Sequence, residues 1–366
     1  MKGSKTAKRP GKMDIKRAIR EVVAGKDLTE AEMASVFDVI MTGKATPAQI
    51  AGFLTALRLK GETADEITGA ARIMRKRALK LKVSCAPGEK LVDTCGTGGS
   101  GLSTFNFSTA SAFITAGCGV KVAKHGNRSA SGKCGSADVL EELGIKLDVS
   151  ARVVERCINE IGIGFIYAPV FHSSMKHAIG PRKEIGIRTI FNLLGPLCNP
   201  AFPARQVIAL YDGTLTVTIA RVLKNLGLEK AYVVHGSDGL DEVTITGKTR
   251  VSELNAGKIR TYDVDPFDFG LRKYSAGKIT GGGPERNARI MRTLLSGKKG
   301  AIRDMAVMNS AMALLAANAA KSLKEGVRMS QDSIDSGRAM EKLELLRRVT
   351  SDRRGCSGAR IKKRVR

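Results

Sequence analysis

The sequence predicts an α/β protein with an N-terminal helical lobe and a larger α/β lobe built on a mostly parallel sheet. Residues 13–82 contain four successive helical stretches, three of which start with a capping box. Beyond residue 83, apolar strand-like stretches alternate with helical stretches, which is typical of a parallel sheet. We therefore expect basic tails at 1–12 and 347–366, a helical lobe at 13–82 joined by helices from 150–200, and an α/β lobe at 83–346.

The helical lobe is predicted from helix-start signals. A first helix spans Met13–Gly25, and a later one, Pro47–Lys60, should end at Gly61. The capping boxes are three pairs of residues: Thr29 with Glu32, Thr46 with Gln49, and Thr63 with Glu66.

The second lobe is predicted as strands separated by helices. Strands are expected at 91–95, 119–123, 162–166, 205–211, 230–235, 242–245 and 261–264. Helices are expected at 109–117, 136–143, 150–161, 215–227, 284–295, 301–320 and 330–348. Ligands of a parallel sheet bind at the carboxyl ends of its strands, so the loops after residues 95 and 123 are the first candidates for a site.

Composition points to a reduced, cytoplasmic compartment and to charged ends. The seven cysteines form no CxxC pair, no apolar run could span a membrane, and the basic N-terminus lacks the apolar stretch of a secretory signal. Residues 1–20 hold eight Lys or Arg against one acid, and residues 347–366 hold nine against one, out of a net charge of +26. Solvated ends are the simpler interpretation, and nucleic-acid binding by these tails stays open.

Two loops suggest a site for a phosphorylated small molecule. Gly96-Thr97-Gly98-Gly99-Ser100-Gly101 follows the first strand and precedes a helix, so backbone amides and a helix N-terminus could approach an anion. The second loop, Lys124–Lys133, adds cations among glycines and serines and could wrap a diphosphate. Further along, the adjacent carboxylates of Asp241 and Glu242 would suit Mg²⁺ that also bridges phosphates.

Two other phosphate sites fit less well. Gly96, Gly98 and Gly101 satisfy the pattern of a dinucleotide-binding loop. That site needs an acidic residue at the end of the second strand to hold the ribose, but this strand ends in Lys124-His125. Of the two dinucleotides, only NADP stays open, since a lysine could favour its 2′-phosphate. A P-loop would need a lysine where Leu102 stands.

Several long motifs together resemble anthranilate phosphoribosyltransferases. They are GTGG…TFNFST, KHGNRSASGKCGSADVLEELG, MKHAIGPRKEIGIRTIFNLLGPLCNP, GLDEVT and GGGPERNARIMRTLLSGKKGAIRDMAVMNSAMALL, within a likeness that covers roughly residues 13–345. The resemblance implies a nucleoside phosphorylase/phosphoribosyltransferase-like fold, usually a homodimer through the helical lobe. It also implies transfer of the phosphoribosyl group of phosphoribosyl diphosphate to anthranilate in tryptophan biosynthesis, with two Mg²⁺ ions.

The resemblance also assigns site residues. It gives Asp241, Glu242 and Ser108 to Mg²⁺, Gly96, Asn127 and Arg182 to anthranilate, and positioning roles to His125 and Arg182, with no acid or base among them. The residues implied for phosphoribose and diphosphate are Gly96, Gly98, Gly99, Ser100, Thr104, Asn106, Phe107, Ser108, Thr109, Lys124, His125, Gly126, Asn127, Arg128, Ser129, Ala130, Ser131, Gly132 and Ser136.

One residue departs from the family pattern. The family usually has an acid after GTGG, where this chain has Ser100, so the affinity for metal and diphosphate could differ. Two alternatives of other classes remain: a pyrimidine nucleoside phosphorylase-like enzyme, and a non-catalytic relative that binds nucleic acid through its charge. The Lys124–Arg128 run and the Asp241–Glu242 pair favour the transferase.

Overall fold

The computed structural model describes residues 13–89, 91–99, 104–129 and 132–352, so the expected tail at 1–12 and residues 353–366 lie outside the described residues. Its helices are α1 (Ile15–Val23), α2 (Glu30–Met41), α3 (Pro47–Lys60), α4 (Ala64–Arg77), α5 (Phe107–Gly117), α6 (Ser136–Glu142), α7 (Ala151–Arg156), α8 (Ala168–Phe171), α9 (Lys176–Ile185), α10 (Phe191–Leu197), α11 (Thr216–Asn225), α12 (Pro284–Leu295), α13 (Ala301–Ala316), α14 (Leu323–Asp335) and α15 (Arg338–Ser351). The strands are β1 (Val92–Gly96), β2 (Val122–Gly126), β3 (Ile163–Tyr167), β4 (Arg205–Ala209), β5 (Lys230–Gly236), β6 (Thr249–Asn255) and β7 (Lys258–Val264).

These elements form two compact units. The first contains the described residues up to Ala78 together with His172–Leu194, and the second contains Leu79–Phe171 and the described residues from Gly195 onward. The helical unit is therefore built from two separate stretches of chain.

In the helical unit, α2 packs on α4, α1 packs on α3, and α9 packs on α3 and α2. All three predicted capping boxes are formed, and Gly61 ends α3 with a φ of 90°. Glu66 is fully buried, yet it accepts hydrogen bonds from the amides of Leu28 and Thr63 and pairs with Lys60 at 3.0 Å. Buried apolar faces and satisfied helix ends therefore stabilise this unit together.

The α/β unit has one sheet of seven strands within the described ranges, in the order β3-β2-β1-β4-β5-β6-β7. The first five of these strands are parallel, and β6 and β7 join as an antiparallel edge, which confirms the predicted mostly parallel sheet. The central strand β1 pairs with β2 on one side and β4 on the other, with Val92 opposite both Val122 and Arg205. The chain thus leaves β1 in one direction and returns on its other side, which creates the crevice where such sheets bind ligands.

One predicted strand and several helix ends are wrong. Residues 242–245 are buried but form a loop, because the amides of Val243 and Thr244 bond to side chains instead of to a neighbouring strand, and β6 begins only at Thr249. The helix predicted at 330–348 is interrupted by Gly337, whose φ is 79°. Since α15 ends at Ser351, residues 347–351 are helical and not part of a tail.

Other helices differ in extent. The helix predicted at 150–161 is α7 followed by a π-helical turn at Cys157–Ile161, and the one predicted at 301–320 ends at Ala316. Nowhere in the described part of the chain is a helix both long and apolar enough to cross a membrane.

Candidate functional site

The first glycine loop begins where β1 ends. Gly98 and Gly99 have φ angles of 67° and 87°, which glycine adopts without steric cost. A Cβ atom on Gly96 would lie 3.1 Å from Oδ2 of Asp241. The lack of a side chain at Gly96 therefore lets this loop lie directly against the acidic pair.

The start of α5 lies between the glycine loop and the acidic pair. The amide of Ser108 donates to Oε1 of Glu242 at 3.0 Å. Phe107 is fully buried, with its ring edge-on to that of Phe105 at 5.3 Å, so only its backbone is placed to meet a ligand. Thr109 is also buried, and its Oγ1 has no hydrogen-bond partner among the described residues.

Asn106, at the N-cap of α5, is held by its neighbours. Its Oδ1 accepts from Nδ2 of Asn287 at 2.9 Å, and its Nδ2 donates to the carbonyl of Cys134 at 3.1 Å. Nearby Thr104 forms an antiparallel bridge with Thr280. The Asn106 side chain thus joins three segments of chain around the glycine loop, a bracing contact that the sequence did not indicate.

Lys124 supplies a buried positive charge. Its Nζ donates to the carbonyl of Thr94 at 2.6 Å and to Oγ of Ser108 at 3.3 Å. Burial lowers the pKa of Lys124, while the charges of Asp93 and Glu242 oppose that shift. The lysine therefore couples the second loop electrostatically to the acidic pair.

Asp241 and Glu242 fit a magnesium ion that keeps other ligands. Burial, with the neighbouring charge of Asp241, raises the pKa of Glu242. A divalent cation would relieve this repulsion between the two carboxylates. Within the described ranges, no cluster of three or more His, Cys, Asp and Glu could hold a metal alone. Two carboxylates plus substrate phosphates and water are the ligand set that Mg²⁺ commonly takes.

The second loop folds back onto the start of α6. The carbonyl of Asn127 accepts from Oγ of Ser136 at 3.3 Å, and Oγ of Ser129 accepts from the amide of Gly132 at 2.7 Å. A Cβ atom on Gly126 would collide with the Ser136 hydroxyl. These contacts hold the described residues of the loop close to one another and to the start of α6.

The charge of Arg128 is directed toward acids of its own unit. Its guanidinium bonds to Asp138 at 3.0 Å and Glu141 at 2.8 Å, and its Nε donates to the Tyr167 hydroxyl at 3.2 Å. Arg128 thus fixes the loop to α6, and the contact with diphosphate that the resemblance implies stays a prediction.

His125 is fixed by a buried carboxylate that the sequence analysis did not select. Oδ1 of Asp93 accepts from the His125 amide at 3.2 Å, and Oδ2 accepts from Nδ2 of Asn199 at 2.9 Å and Nε2 of Gln206 at 3.1 Å. Nδ1 of His125 lies 3.0 Å from the carbonyl of Gly195. An acidic residue inside the apolar stretch LVDTC was the available signal for this network.

Arg182 lies on α9 in the helical unit. Its guanidinium stacks 4.9 Å above the ring of Phe191, and burial lowers its pKa. In the described part of the chain no carboxylate forms an ion pair with Arg182. A half-buried arginine held in this way is suited to an anionic partner.

The structure thus brings five of the expected residues together in the α/β unit: Gly96, Ser108, Lys124, Asp241 and Glu242. Three expected residues, Ser100, Ala130 and Ser131, lie outside the described residues.

Family comparisons cover both units. A glycosyl transferase family model described as an a/b domain matches residues 88–340, and one described as a helical bundle domain matches residues 16–78. Anthranilate phosphoribosyltransferase of Moorella thermoacetica is 56% identical over 332 residues, which cover 91% of this chain and 97% of that protein.

Solved structures show the same architecture. The crystal structure of anthranilate phosphoribosyltransferase from Thermus thermophilus superposes with a TM-score of 0.86 at 40% identity, over 92% of this chain and 99% of that one. The Saccharomyces cerevisiae enzyme in complex with PRPP and Mg superposes with a TM-score of 0.84 at 28% identity, over 92% and 98%. The yeast enzyme is also similar in its complex with 4-fluoroanthranilate, with a TM-score of 0.82.

Proposed function

The chain belongs to the anthranilate phosphoribosyltransferase family, and on that premise we propose that it transfers the phosphoribosyl group of 5-phosphoribosyl 1-diphosphate (PRPP) to the amine of anthranilate. The bond between C1′ and the diphosphate oxygen breaks, a bond from the amine nitrogen to C1′ forms, and the amine loses one proton. The products are N-(5-phosphoribosyl)anthranilate and diphosphate. The similarities favour this reaction over the phosphorylase and nucleic-acid-binding alternatives.

The observation that carries this proposal is the contact between the glycine loop, the start of α5 and the acidic pair. Gly96 lies against Asp241, and Ser108 bonds to Glu242. Diphosphate is a leaving group whose departure needs its negative charge stabilised more than it needs a strong base. The site accordingly offers backbone amides, the buried cation of Lys124 and a pair of carboxylates that would hold a metal cation, with no nucleophile–base pair among its described residues.

Magnesium binding is supported by the yeast enzyme in complex with PRPP and Mg. We assign Asp241, Glu242 and Ser108 to the metal and propose two ions. When bound, Mg²⁺ would neutralise charge on the departing diphosphate. The amide of Ser108 donates to Oε1 of Glu242 at 3.0 Å, so the two residues assigned to the metal are neighbours in the structure.

For anthranilate, we propose that Arg182 binds the carboxylate, with Asn127 and Gly96 as further contacts. The guanidinium fork suits a carboxylate, and stacking on Phe191 restricts its orientation. Positioning of the two substrates can then supply much of the rate enhancement, since well-oriented reactants have effective molarities on the order of 10⁵ M or more.

The test is loss of anthranilate fluorescence with PRPP and Mg²⁺. Absence of any Mg²⁺-dependent loss in the wild type would overturn the proposed function. Arg182→Ala should weaken anthranilate binding by ~10–100-fold, since a charge-assisted bond contributes about 1.5–3 kcal/mol, and should leave PRPP binding within about twofold. Lys183→Ala, an exposed cation on the same helix, is the matched control and should change neither. Equal losses for both substrates in Arg182→Ala would reject its role.

We also propose a cytoplasmic homodimer through the helical lobe, acting in tryptophan biosynthesis. The exposed side chains of Val23 on α1 and Leu59 on α3 support the dimer. The six cysteines within the described residues are all free thiols, which fits the proposed reducing compartment. Light scattering of the full chain would test the dimer. The domain boundary at residues 82 and 83 stays a prediction, and solvated ends stay the simpler interpretation of the basic tails.

A further inference from the structure

We propose that Asn309 is a positioning residue for the carboxylates of Asp241 and Glu242, acting through the backbone of Val243. The inference rests on the proposed function, because it concerns the same acidic pair. Asn309 lies on α13, is 5% exposed, and is not among the site residues that the resemblance implies.

The segment that holds the acidic pair has no regular secondary structure. Residues 237–248 form turns and bends between β5 and β6, so their backbone groups need partners from elsewhere. Val243 is fully buried, so water cannot serve its amide and carbonyl.

Asn309 serves both groups of Val243. Its Oδ1 accepts from the Val243 amide at 3.0 Å, and its Nδ2 donates to the Val243 carbonyl at 3.0 Å. The second hydrogen of Nδ2 goes to the carbonyl of Met305 at 2.9 Å, one turn earlier on α13. The amide is therefore fully used and can adopt only one orientation.

The two hydrogen bonds from the Asn309 side chain to the backbone of Val243, called the clamp below, fix the neighbouring Glu242 from the backbone side. Glu242 is already fixed at its carboxylate by the Ser108 amide. Its neighbour Val243 is held by a helix whose residues from Met305 to Leu314 are all buried. The acidic pair is thus placed between α5 and α13, and removal of the Asn309 amide would release one of these two attachments.

Loss of the clamp should weaken metal binding more than it changes the fold. Asn309→Ala leaves the two backbone groups of Val243 buried without partners, so the segment would shift to find others. Residues that orient metal ligands typically change metal affinity by about 10–100-fold when they are removed. For Asn309→Ala we therefore expect an increase of about 10–100-fold in the Mg²⁺ concentration needed for half-maximal PRPP binding.

The experiment measures PRPP binding by calorimetry across a Mg²⁺ titration, together with the melting temperature of the unliganded full-chain protein. Ser310→Ala is the matched control. Ser310 is the next residue on α13, is also buried, and bonds to Oγ1 of Thr115 at 3.0 Å, away from the acidic segment. Both variants should lower the melting temperature, and only Asn309→Ala should shift the Mg²⁺ requirement.

Three outcomes are informative. An unchanged Mg²⁺ requirement in Asn309→Ala, or an equal shift in Ser310→Ala, overturns the inference and leaves the proposed function intact. Failure of the wild type to bind PRPP with Mg²⁺ overturns the proposed function itself. If Asn309→Ala does not fold, the Mg²⁺ requirement of Asn309→Asp is measured instead. Aspartate keeps the size and the acceptor of Asn309 but turns an oxygen toward the carbonyls of Val243 and Met305, so the same shift in Mg²⁺ requirement is expected.

Discussion

Asp93 is the residue whose substitution tests most directly how the centre of the sheet is held together. It is fully buried on β1, and three donors converge on its carboxylate, from His125, Asn199 and Gln206. Burial raises the pKa of Asp93 to about 6, against the pull of these donors and of the nearby Lys124. We choose Asp93→Asn as the perturbation because it keeps the shape and removes the titration.

The magnitude follows from the shift in pKa. The pKa of Asp93 rises from 3.8 to about 6, which is roughly two pK units. This shift corresponds to a difference of about 3 kcal/mol in the free energy of unfolding between the protonated and the ionised carboxyl. Because the folded pKa lies above the unfolded one, this stability is fully present below pH 3.8 and is lost as the pH rises through about 6. An asparagine would also turn its amide toward two other donors, a cost that applies at every pH.

The assay is urea unfolding of wild type and Asp93→Asn between about pH 4.5 and pH 7.5. The wild type should be the more stable protein throughout, and its advantage should be about 2 kcal/mol larger at pH 4.5 than at pH 7.5. Other titrating groups cancel in the difference between the two proteins. A difference that stays constant with pH would refute the assignment of a raised pKa to Asp93.

Two further predictions concern the acidic pair and the helical unit. Gly96→Ala should raise the Mg²⁺ requirement for PRPP binding by roughly tenfold with little change in melting temperature, because the new Cβ would lie 3.1 Å from Asp241 Oδ2; calorimetry and thermal melts measure the two effects. Wild-type Mg²⁺ dependence in this variant would contradict the contact. Glu66→Ala should cost about 1–3 kcal/mol in urea unfolding, since it leaves the amides of Leu28 and Thr63 without their acceptor, while Lys60 keeps its ion pair with Asp27 at 2.6 Å. An unchanged unfolding midpoint would argue against that role.

The elements that the sequence predicted well are those specified by neighbouring residues. Each capping box lies within four residues, and the helix at Pro47–Lys60 was predicted to the residue. The apolar stretches before both loops became β1 and β2, displaced by one to three residues. The glycine loop and the acidic pair could be selected because their residue types suit phosphate and Mg²⁺ wherever they occur.

The elements that the sequence did not predict depend on distant partners. Residues 242–245 have the composition of a strand, but the amide of Asn309 takes the place of a neighbouring strand for Val243. Likewise, Asn287 and Asn309 are buried polar residues in helices, and nothing nearby in the sequence shows that one reaches Asn106 and the other Val243. Only the fold brings these pairs together, across 181 and 66 residues.

The order of strands in the sheet also has a consequence for synthesis on the ribosome. The central strand β1 needs β4, whose last residue, Ala209, is made more than a hundred residues after β1. The helical unit needs α9, so its first four helices also wait for a later part of the chain. Neither unit can be completed by the N-terminal part of a nascent chain alone. The first 170 residues therefore emerge with apolar faces still uncovered, which makes this stage the one at which a chaperone would matter most.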